Sequence, residues 1–307
     1  MTVDAPAHPP RAVDLRVVLG AAVVDRDVVR VAGPDALAYL QGQLSQDVVA
    51  LAPGEVGWSF VLQPAGKVDA WVRVVRTGDD EVVLDVDGGH GAALVARLRR
   101  FLLRTRADVD PLDWVTVAVR GPGAEAAATA AAAGRGRDAD LVVPAGWPGI
   151  EGYDVVGPGA APPGGVEVAD RSSLTAARIR AGVPAMGAEL TPDTIPAEMG
   201  QRVVDASVSF AKGCFTGQEL VARIDSRGGH VPRRLRGLVL PGEGVPPPPG
   251  APVTADGSEV GRVTSSAPDP AGPGSLALAL VRRAVAPPVA VVVDGRPGTV
   301  VDLPVPG

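Results

Sequence analysis

The chain has 307 residues, 46% of them hydrophobic and 21% charged, which predicts a globular protein of roughly two domains. Its net charge of −6 argues against broad, sequence-independent binding of nucleic acid, because such binding needs an excess of Lys and Arg. The single cysteine excludes a disulfide within the chain, and no run approaches the ~18 apolar residues of a membrane span. We therefore expect a cytoplasmic protein, in a reducing compartment.

The first part of the chain alternates short apolar runs with turn signals. Residues 1–14 are punctuated by Pro and Asp, which predicts a loose tail. The patterns that follow predict a strand in 28–31, an amphipathic helix in 33–48 and a hairpin in 58–75. A further strand in 81–86 and a second helix in 92–104 come next. This order is typical of an α+β protein.

The second part continues with mixed elements and then changes character. Its patterns predict a strand in 115–120, an alanine-rich helix in 124–133, a loop in 134–140 and a further strand in 152–156. A helix over 171–182 follows, with Ser172 or Ser173 placed to cap it. From Arg234 onward the signals are short strands between Pro- and Gly-rich loops, in 235–240, 259–264, 276–281, 289–293 and 299–303. Evenly spaced short strands indicate a small β-barrel, so we place a domain boundary near residue 233.

The chemistry-bearing stretch is "KGCFTGQELVARIDSRGG", which runs from Lys212 to Gly229 and holds the only cysteine, Cys214. Thr216 and Glu219 have the spacing of a capping box and predict a helix over 217–227. A thiol near a helix N-terminus and a lysine is favoured as thiolate, and this predicts a reactive Cys214 with Lys212 beside it. The alternative is a buried cysteine that only packs.

The motif "KGCFTGQE" resembles the signature of the YgfZ-type folate-binding proteins, K-G-C-[YF]-x-G-Q-E. These proteins are paralogues of the glycine-cleavage T-protein, an aminomethyltransferase that uses tetrahydrofolate. Five further stretches resemble that family in the right order: "GPDALAYLQGQLSQDV", "LQPAGKVDAWVRV", "LRRFLLRTRADV", "ARIRAGVPAMGAELTPDTIPAEMG" and "VGRVTSSAPDP". The resemblance implies a T-protein-like α+β fold, with two interleaved subdomains in a folate-binding region over 15–232 and a C-terminal β-barrel over 233–307.

The resemblance also implies a function. We expect a protein that binds tetrahydrofolate or a one-carbon derivative and supports the assembly or repair of iron–sulfur enzymes, including some that modify tRNA. Its partners would be those enzymes or their assembly machinery, with no membrane and no direct nucleic-acid contact. Cys214 and Lys212 are the expected functional pair, and Gly213 and Gly217 shape the backbone of the motif.

The candidate folate contacts are polar groups close to this motif or at the end of the first helix. A folate needs a flat apolar slot for its pterin and a cation for its glutamate. The candidates are Arg223, Arg233, Arg234, Gln218, Glu219, Gln43 and Asp47. We expect no metal, since the three histidines lack ligand spacing.

Two alternatives remain at this level. A true aminomethyltransferase is disfavoured, because the paired aspartates of that enzyme fall on Ala70 and Trp71 and its pterin-holding acidic residue falls on Arg180. A tRNA-binding factor would use the basic run from Arg97 to Arg106. A dinucleotide site at Gly89 and Gly91 lacks the third glycine of its motif.

Overall fold

The computed structural model describes residues 12–133 and 140–306. A first five-stranded sheet lies in its N-terminal half. In sheet order its strands are β3 (Val56–Leu62), β4 (Val68–Arg76), β5 (Glu81–Asp87), β2 (Arg26–Ala32) and β6 (Asp108–Leu112), all antiparallel. Two helices, α1 (Ala36–Gln43) and α2 (Gly91–Arg99), cover one face of this sheet through a shared apolar core.

The strands of a second five-stranded sheet come from segments that precede and follow the first sheet in the sequence. Its order is β10 (Glu167–Val168), β1 (Gly20–Val24), β7 (Val115–Arg120), β9 (Gly152–Gly157) and β8 (Leu141–Pro144). The helix α3 (Ala124–Ala132) packs against it over alanine and valine side chains. The chain leaves this sheet after β1 and returns at β7, so the two subdomains interleave as expected.

The connection to the barrel is helical. It contains α4 (Arg171–Ala181), a 3₁₀ turn (Pro196–Met199), α5 (Gln201–Ser207) and α6 (Gln218–Ser226). One apolar cluster joins these helices to Trp71 of the first sheet and Leu278 of the barrel, so the three parts share a core. The predicted cap of α4, Ser172 or Ser173, is wrong, because Asp170 is the N-cap and its carboxylate accepts a 2.6 Å hydrogen bond from the Ser173 N–H.

The C-terminal part is a closed six-stranded barrel, which confirms the predicted fold class. Around the barrel the strands are β11 (Arg233–Pro241), β14 (Gly274–Arg282), β13 (Ser258–Pro268), β12 (Pro252–Ala255), β15 (Val289–Val293) and β16 (Arg296–Val301). The sequence patterns missed β12. It begins at a proline within a Pro- and Gly-rich stretch, where the propensity signal for a strand is weak.

The predicted loose tail over 1–14 falls only in small part on residues that the structure describes. Residues 1–11 lie outside the described range, but Ala12 is buried and the Val13 N–H donates a 2.8 Å hydrogen bond to Ser173 Oγ. Most of the loop expected at 134–140 also lies outside it. Within the described ranges, no helix is long and apolar enough to cross a membrane, and no cluster of His, Cys, Asp and Glu is placed to hold a metal.

Candidate functional site

Cys214 is exposed, in the loop that leads into α6, so the alternative of a buried packing cysteine is wrong. Two contacts hold this loop against the N-terminal region, one at Thr216 and one at Gly217. The Thr216 N–H donates to the Gly42 carbonyl over 3.1 Å. Gly217 has φ +80°, and a Cβ there would lie 2.4 Å from the Gln63 carbonyl oxygen. Only glycine satisfies both the conformation and the close approach.

Lys212 does not turn toward the thiol. Its Nζ donates to three backbone carbonyls, those of Gln41 at 2.6 Å, Leu44 at 2.7 Å and Gln46 at 2.9 Å. These carbonyls belong to the last turn of α1 and to the residues just after it, where the carbonyls at a helix C-terminus lack backbone hydrogen-bond partners. An ammonium has three N–H groups, so none is left to donate to Cys214. Lys212, expected beside the thiol, instead anchors the loop to α1 through these three hydrogen bonds.

The environment of Lys212 alters its protonation. Burial lowers the pKa of its amine to about 8, and the nearby Asp47 carboxylate opposes that shift. The ammonium also lies 5.3 Å from the centre of the Phe215 ring, a cation–π distance.

The predicted capping box is wrong. Gly217, not Thr216, is the N-cap of α6, and no side chain caps the helix start. Gln218 folds back, and its Oε1 accepts a 3.1 Å hydrogen bond from the Phe215 N–H. The left-handed conformation of Gly217 moves the helix start one residue along the chain, so the T-x-x-E spacing loses its register.

Several of the residues that we expected to contact folate bind other residues of the chain. Arg233 pairs with Glu198 over 2.8 Å, Arg234 donates to the Gly229 carbonyl over 3.1 Å, and Gln43 accepts from Arg97 over 3.0 Å. Arg223 and Glu219 are exposed on α6. Asp47 accepts from Gln41 over 3.0 Å. None of these residues lines the cavity described next.

A cavity of about 520 Å³ lies between the two sheets and α4. This volume is within the range of small-molecule sites, about 300 to 1,000 Å³. The side chains that carry chemistry along its wall are Trp58, Trp147, Asp25, Arg73, Arg120 and Arg171. Sequence reasoning missed this site, because its residues are scattered over strands, loops and α4, and no short motif links them.

A network of buried charges forms the floor of the cavity. Asp154 accepts from Arg73 over 2.6 Å and from Arg120 over 2.7 Å, and Asp85 bridges Arg73 to Arg26. Burial alone raises the pKa of Asp154, but the Arg120 and Arg73 guanidinium groups outweigh it and hold that pKa well below its usual range. The carboxylate is therefore ionised at neutral pH.

Arg120 is the member of this network with a free donor. Its guanidinium lies 4.3 Å from the centre of the Trp147 ring, and the side chain is 3% exposed. Its Nε has no hydrogen-bond partner in the part of the chain that the structure describes. A buried N–H without an acceptor is costly, so a ligand with an acceptor at this wall would stabilise it.

On β4, the two positions where the resemblance expects aspartates are buried and apolar. Ala70 faces the core under α1 and α2, and Trp71 faces the shared core. The Trp71 indole N–H donates to Ser207 Oγ over 2.9 Å. The register of β4 against β3 shifts at this point, so Asp69 has no partner there, and it binds Arg97 over 3.3 Å.

Arg180 stands where the resemblance expects the pterin-holding carboxylate, but it points away from the cavity. It donates to Asp269 over 2.7 Å and to the Pro306 carbonyl over 3.1 Å. The residue is 7% exposed and ties α4 to the barrel. Its role in this chain is structural.

The basic run on α2 does not form one patch. Arg97 is largely buried against Asp69, Arg99 donates to the Val109 carbonyl, and Arg106 pairs with Asp35. At the rejected dinucleotide motif, the Asp27 carboxylate accepts from the Gly91 N–H over 2.6 Å and takes the place that a phosphate would need.

The comparisons with known proteins agree on one fold. Residues 233–305 match the family model of the glycine cleavage T-protein C-terminal barrel domain. An aminomethyltransferase from Frankia alni is 30% identical over 305 residues, which cover 87% of this chain and 80% of that one. A solved aminomethyltransferase T from Bartonella henselae superposes with a TM-score of 0.77 at 21% identity, over 94% of this chain and 87% of that chain.

Two other relatives bear different names. An uncharacterized protein from Haemophilus influenzae is 27% identical over 208 residues, 66% of each chain. The protein named "Iron-sulfur cluster assembly factor IBA57 homolog, mitochondrial" from Mycosarcoma maydis is 30% identical over 245 residues, and the match covers 74% of this chain and 59% of that one.

Proposed function

Because the chain belongs to the glycine-cleavage T-protein family, as a paralogue of the YgfZ type, we propose that it binds a reduced folate and supports iron–sulfur enzymes. The iron–sulfur enzymes that it supports include some that modify tRNA. In this function Cys214 is the reactive group and Lys212 is a positioning residue that holds the loop of the thiol onto α1. The relative named as an iron–sulfur cluster assembly factor supports this direction.

One observation carries the proposal over aminomethyl transfer. Trp71 fills, with a buried ring, a position where the resemblance expects an aspartate, and its neighbour Ala70 is also apolar. At the same time the chain exposes a thiol in the loop before α6. A site that has lost its carboxylates and presents a thiol favours chemistry at sulfur over chemistry at an amine.

The cavity between the sheets fits the chemistry of a folate. Trp58 and Trp147 supply flat apolar surface for the pterin. The Asp25 carboxylate is exposed and has no hydrogen-bond or ion-pair partner among the described residues, so it can accept from the pterin amino group. Arg171, exposed at the start of α4, can pair with the carboxylates of the glutamate.

The binding part is tested by titrating the protein with tetrahydrofolate under anaerobic conditions, with calorimetry as the readout. We expect saturable binding, weakened about tenfold or more in Trp147→Ala and Arg171→Gln, since each removes about 1.5 to 3 kcal/mol of contact. Arg283→Gln, an exposed arginine of the barrel, is the matched control for charge. Absence of saturable binding would sink the folate proposal.

The same titration decides between the cavity and the residues near the motif. Arg223, Arg233, Arg234, Gln218, Glu219, Gln43 and Asp47 stay predictions as folate contacts. If Arg234→Gln weakens binding and Arg171→Gln does not, the folate lies beside α6 rather than between the sheets.

The thiol is tested in cells that lack the chromosomal gene. We expect Cys214→Ser to leave an iron–sulfur tRNA-modifying enzyme poorly active, whereas wild type and Gly213→Ala restore it. Gly213 sits in open space, so its variant controls for changes in the loop. Full rescue by Cys214→Ser would refute the role of the thiol.

Aminomethyl transfer is the second candidate, because relatives named aminomethyltransferase match most of the chain. Formation of methylenetetrahydrofolate from an aminomethyl donor and tetrahydrofolate would establish it. We expect no product above the uncatalysed rate.

A further inference from the structure

A second cavity, of about 650 Å³, lies on the opposite face of β4 from the folate-sized one. Arg73 of β4 lines the first cavity, whereas Asp69 and Ala70 line the second. The other walls come from α2 and from the segment 186–192, which follows α4. Strand β4 thus separates two sites that share no lining residue.

The floor of this second cavity is aliphatic. Its apolar lining residues include Val61, Ala70, Leu94, Met186, Leu190 and Pro192. Four of the six are fully or nearly fully buried: Val61, Ala70, Leu94 and Leu190. Among the residues that the structure describes, no Trp, Tyr or Phe lines this cavity, in contrast to the one that holds Trp58 and Trp147. An aliphatic ligand body fits such a surface better than a flat aromatic ring.

The rim carries an excess of positive charge. Asp69 and Arg97 form an ion pair over 3.3 Å and cancel each other. Arg100 is exposed, and its guanidinium makes no hydrogen bond or ion pair with any residue that the structure describes, although it lies 6.0 Å from the Phe101 ring centre. The His90 ring is half-buried and likewise has no hydrogen-bond partner within that part of the chain.

We propose that this cavity between α2 and the 186–192 segment binds a small aliphatic anion, with its carboxylate or phosphate on Arg100 and His90 and its hydrocarbon on the aliphatic floor. A guanidinium presents paired donors that match either anion. The volume is within the range of small-molecule sites, about 300 to 1,000 Å³. The proposal does not depend on folate, since the two cavities have separate walls.

Calorimetric titration of the full chain with octanoate and with octyl phosphate tests this proposal, and octanamide serves as the neutral probe. We expect saturable binding of at least one anion and about tenfold weaker binding to Arg100→Gln, from the loss of a charge-assisted contact. Ala93→Leu, which fills the mouth from α2 without altering charge, should also weaken binding.

The controls are Arg283→Gln for charge and Ala126→Leu, on the exposed face of α3, for added bulk. Both should bind the anion as wild type does. Preference for octyl phosphate would assign a phosphate monoester, and preference for octanoate a carboxylic acid. No saturable binding, equal binding of octanamide, or unchanged affinity in Arg100→Gln would overturn the proposal. Folate affinity should be the same in all four variants.

Discussion

Trp71 stacks on Trp58 with ring centroids 4.1 Å apart and planes inclined by 19°. The pair joins β4 to β3 on the side of the shared core, and Trp58 continues the contact to the wall of the folate-sized cavity. The ring of Trp71 thereby takes up space at a position where related enzymes are expected to carry a carboxylate.

The first prediction concerns Trp71 itself. We expect Trp71→Asp to lower the free energy of unfolding by about 3 kcal/mol or more, because it removes a buried aromatic ring and buries a charge. Trp71→Phe, which keeps a ring, should lose clearly less. Urea denaturation at neutral pH measures both, and equal stability of Trp71→Asp and wild type would contradict the role of the stack. Neither variant should gain aminomethyl transfer.

The buried carboxylate of Asp154 leads to a second prediction. Asp154→Asn leaves Arg73 and Arg120 without their shared counter-charge, and we expect a loss of about 3 to 5 kcal/mol. The control is Asp193→Asn, since Asp193 pairs with Lys67 at the surface, and it should have no measurable effect.

The pH dependence of this network follows from the lowered pKa of Asp154. The folded state holds the carboxylate ionised when the unfolded chain, with an ordinary pKa of about 3.9, begins to take up its proton. The stabilisation is therefore complete above that ordinary value and is lost as the pH falls below it. Acid unfolding of wild type compared with Asp154→Asn should show the difference shrinking below about pH 4. A difference that stays constant into acid would contradict it.

Lys212 supplies a third prediction, in which stability again rises with pH but in an alkaline window. The pKa of its amine is lowered from its ordinary 10.5 to about 8 in the folded protein. Between those two values the unfolded chain binds a proton that the folded chain has released, so stability rises with pH across this window. As the pH rises through this window, the free energy of unfolding of wild type should increase relative to that of Lys212→Met. A difference that falls instead would mean that the three carbonyl contacts keep the amine protonated.

The fourth prediction separates the two glycines of the motif. Gly217→Ala must adopt φ +80° and bring its Cβ within 2.4 Å of the Gln63 carbonyl oxygen. The conformation alone costs about 1 to 2 kcal/mol, and the clash adds to it. We expect lower stability and faster reaction of the Cys214 thiol with Ellman's reagent, as the loop detaches. Gly213→Ala, with no atom within 4 Å of the added Cβ, should match wild type in both measurements.

Local patterns in the sequence predicted much of the fold. The apolar stripe of α1, the hairpin of β3 and β4, the helix α4 ending at Gly182 and five of the six barrel strands all depend on residues close in sequence. Periodicity and turn chemistry act over such short ranges. The motif around Cys214 was also recognisable from its residues alone.

Tertiary structure alone decided what the side chains of the site do. Lys212 is two residues from Cys214 in sequence, but its amine reaches carbonyls that lie more than 160 positions away. The charge network around Asp154 draws on five strands, and β4 divides two cavities according to which way each side chain points. A long flexible side chain can satisfy its donors in many ways, and only the packed neighbours select one of them.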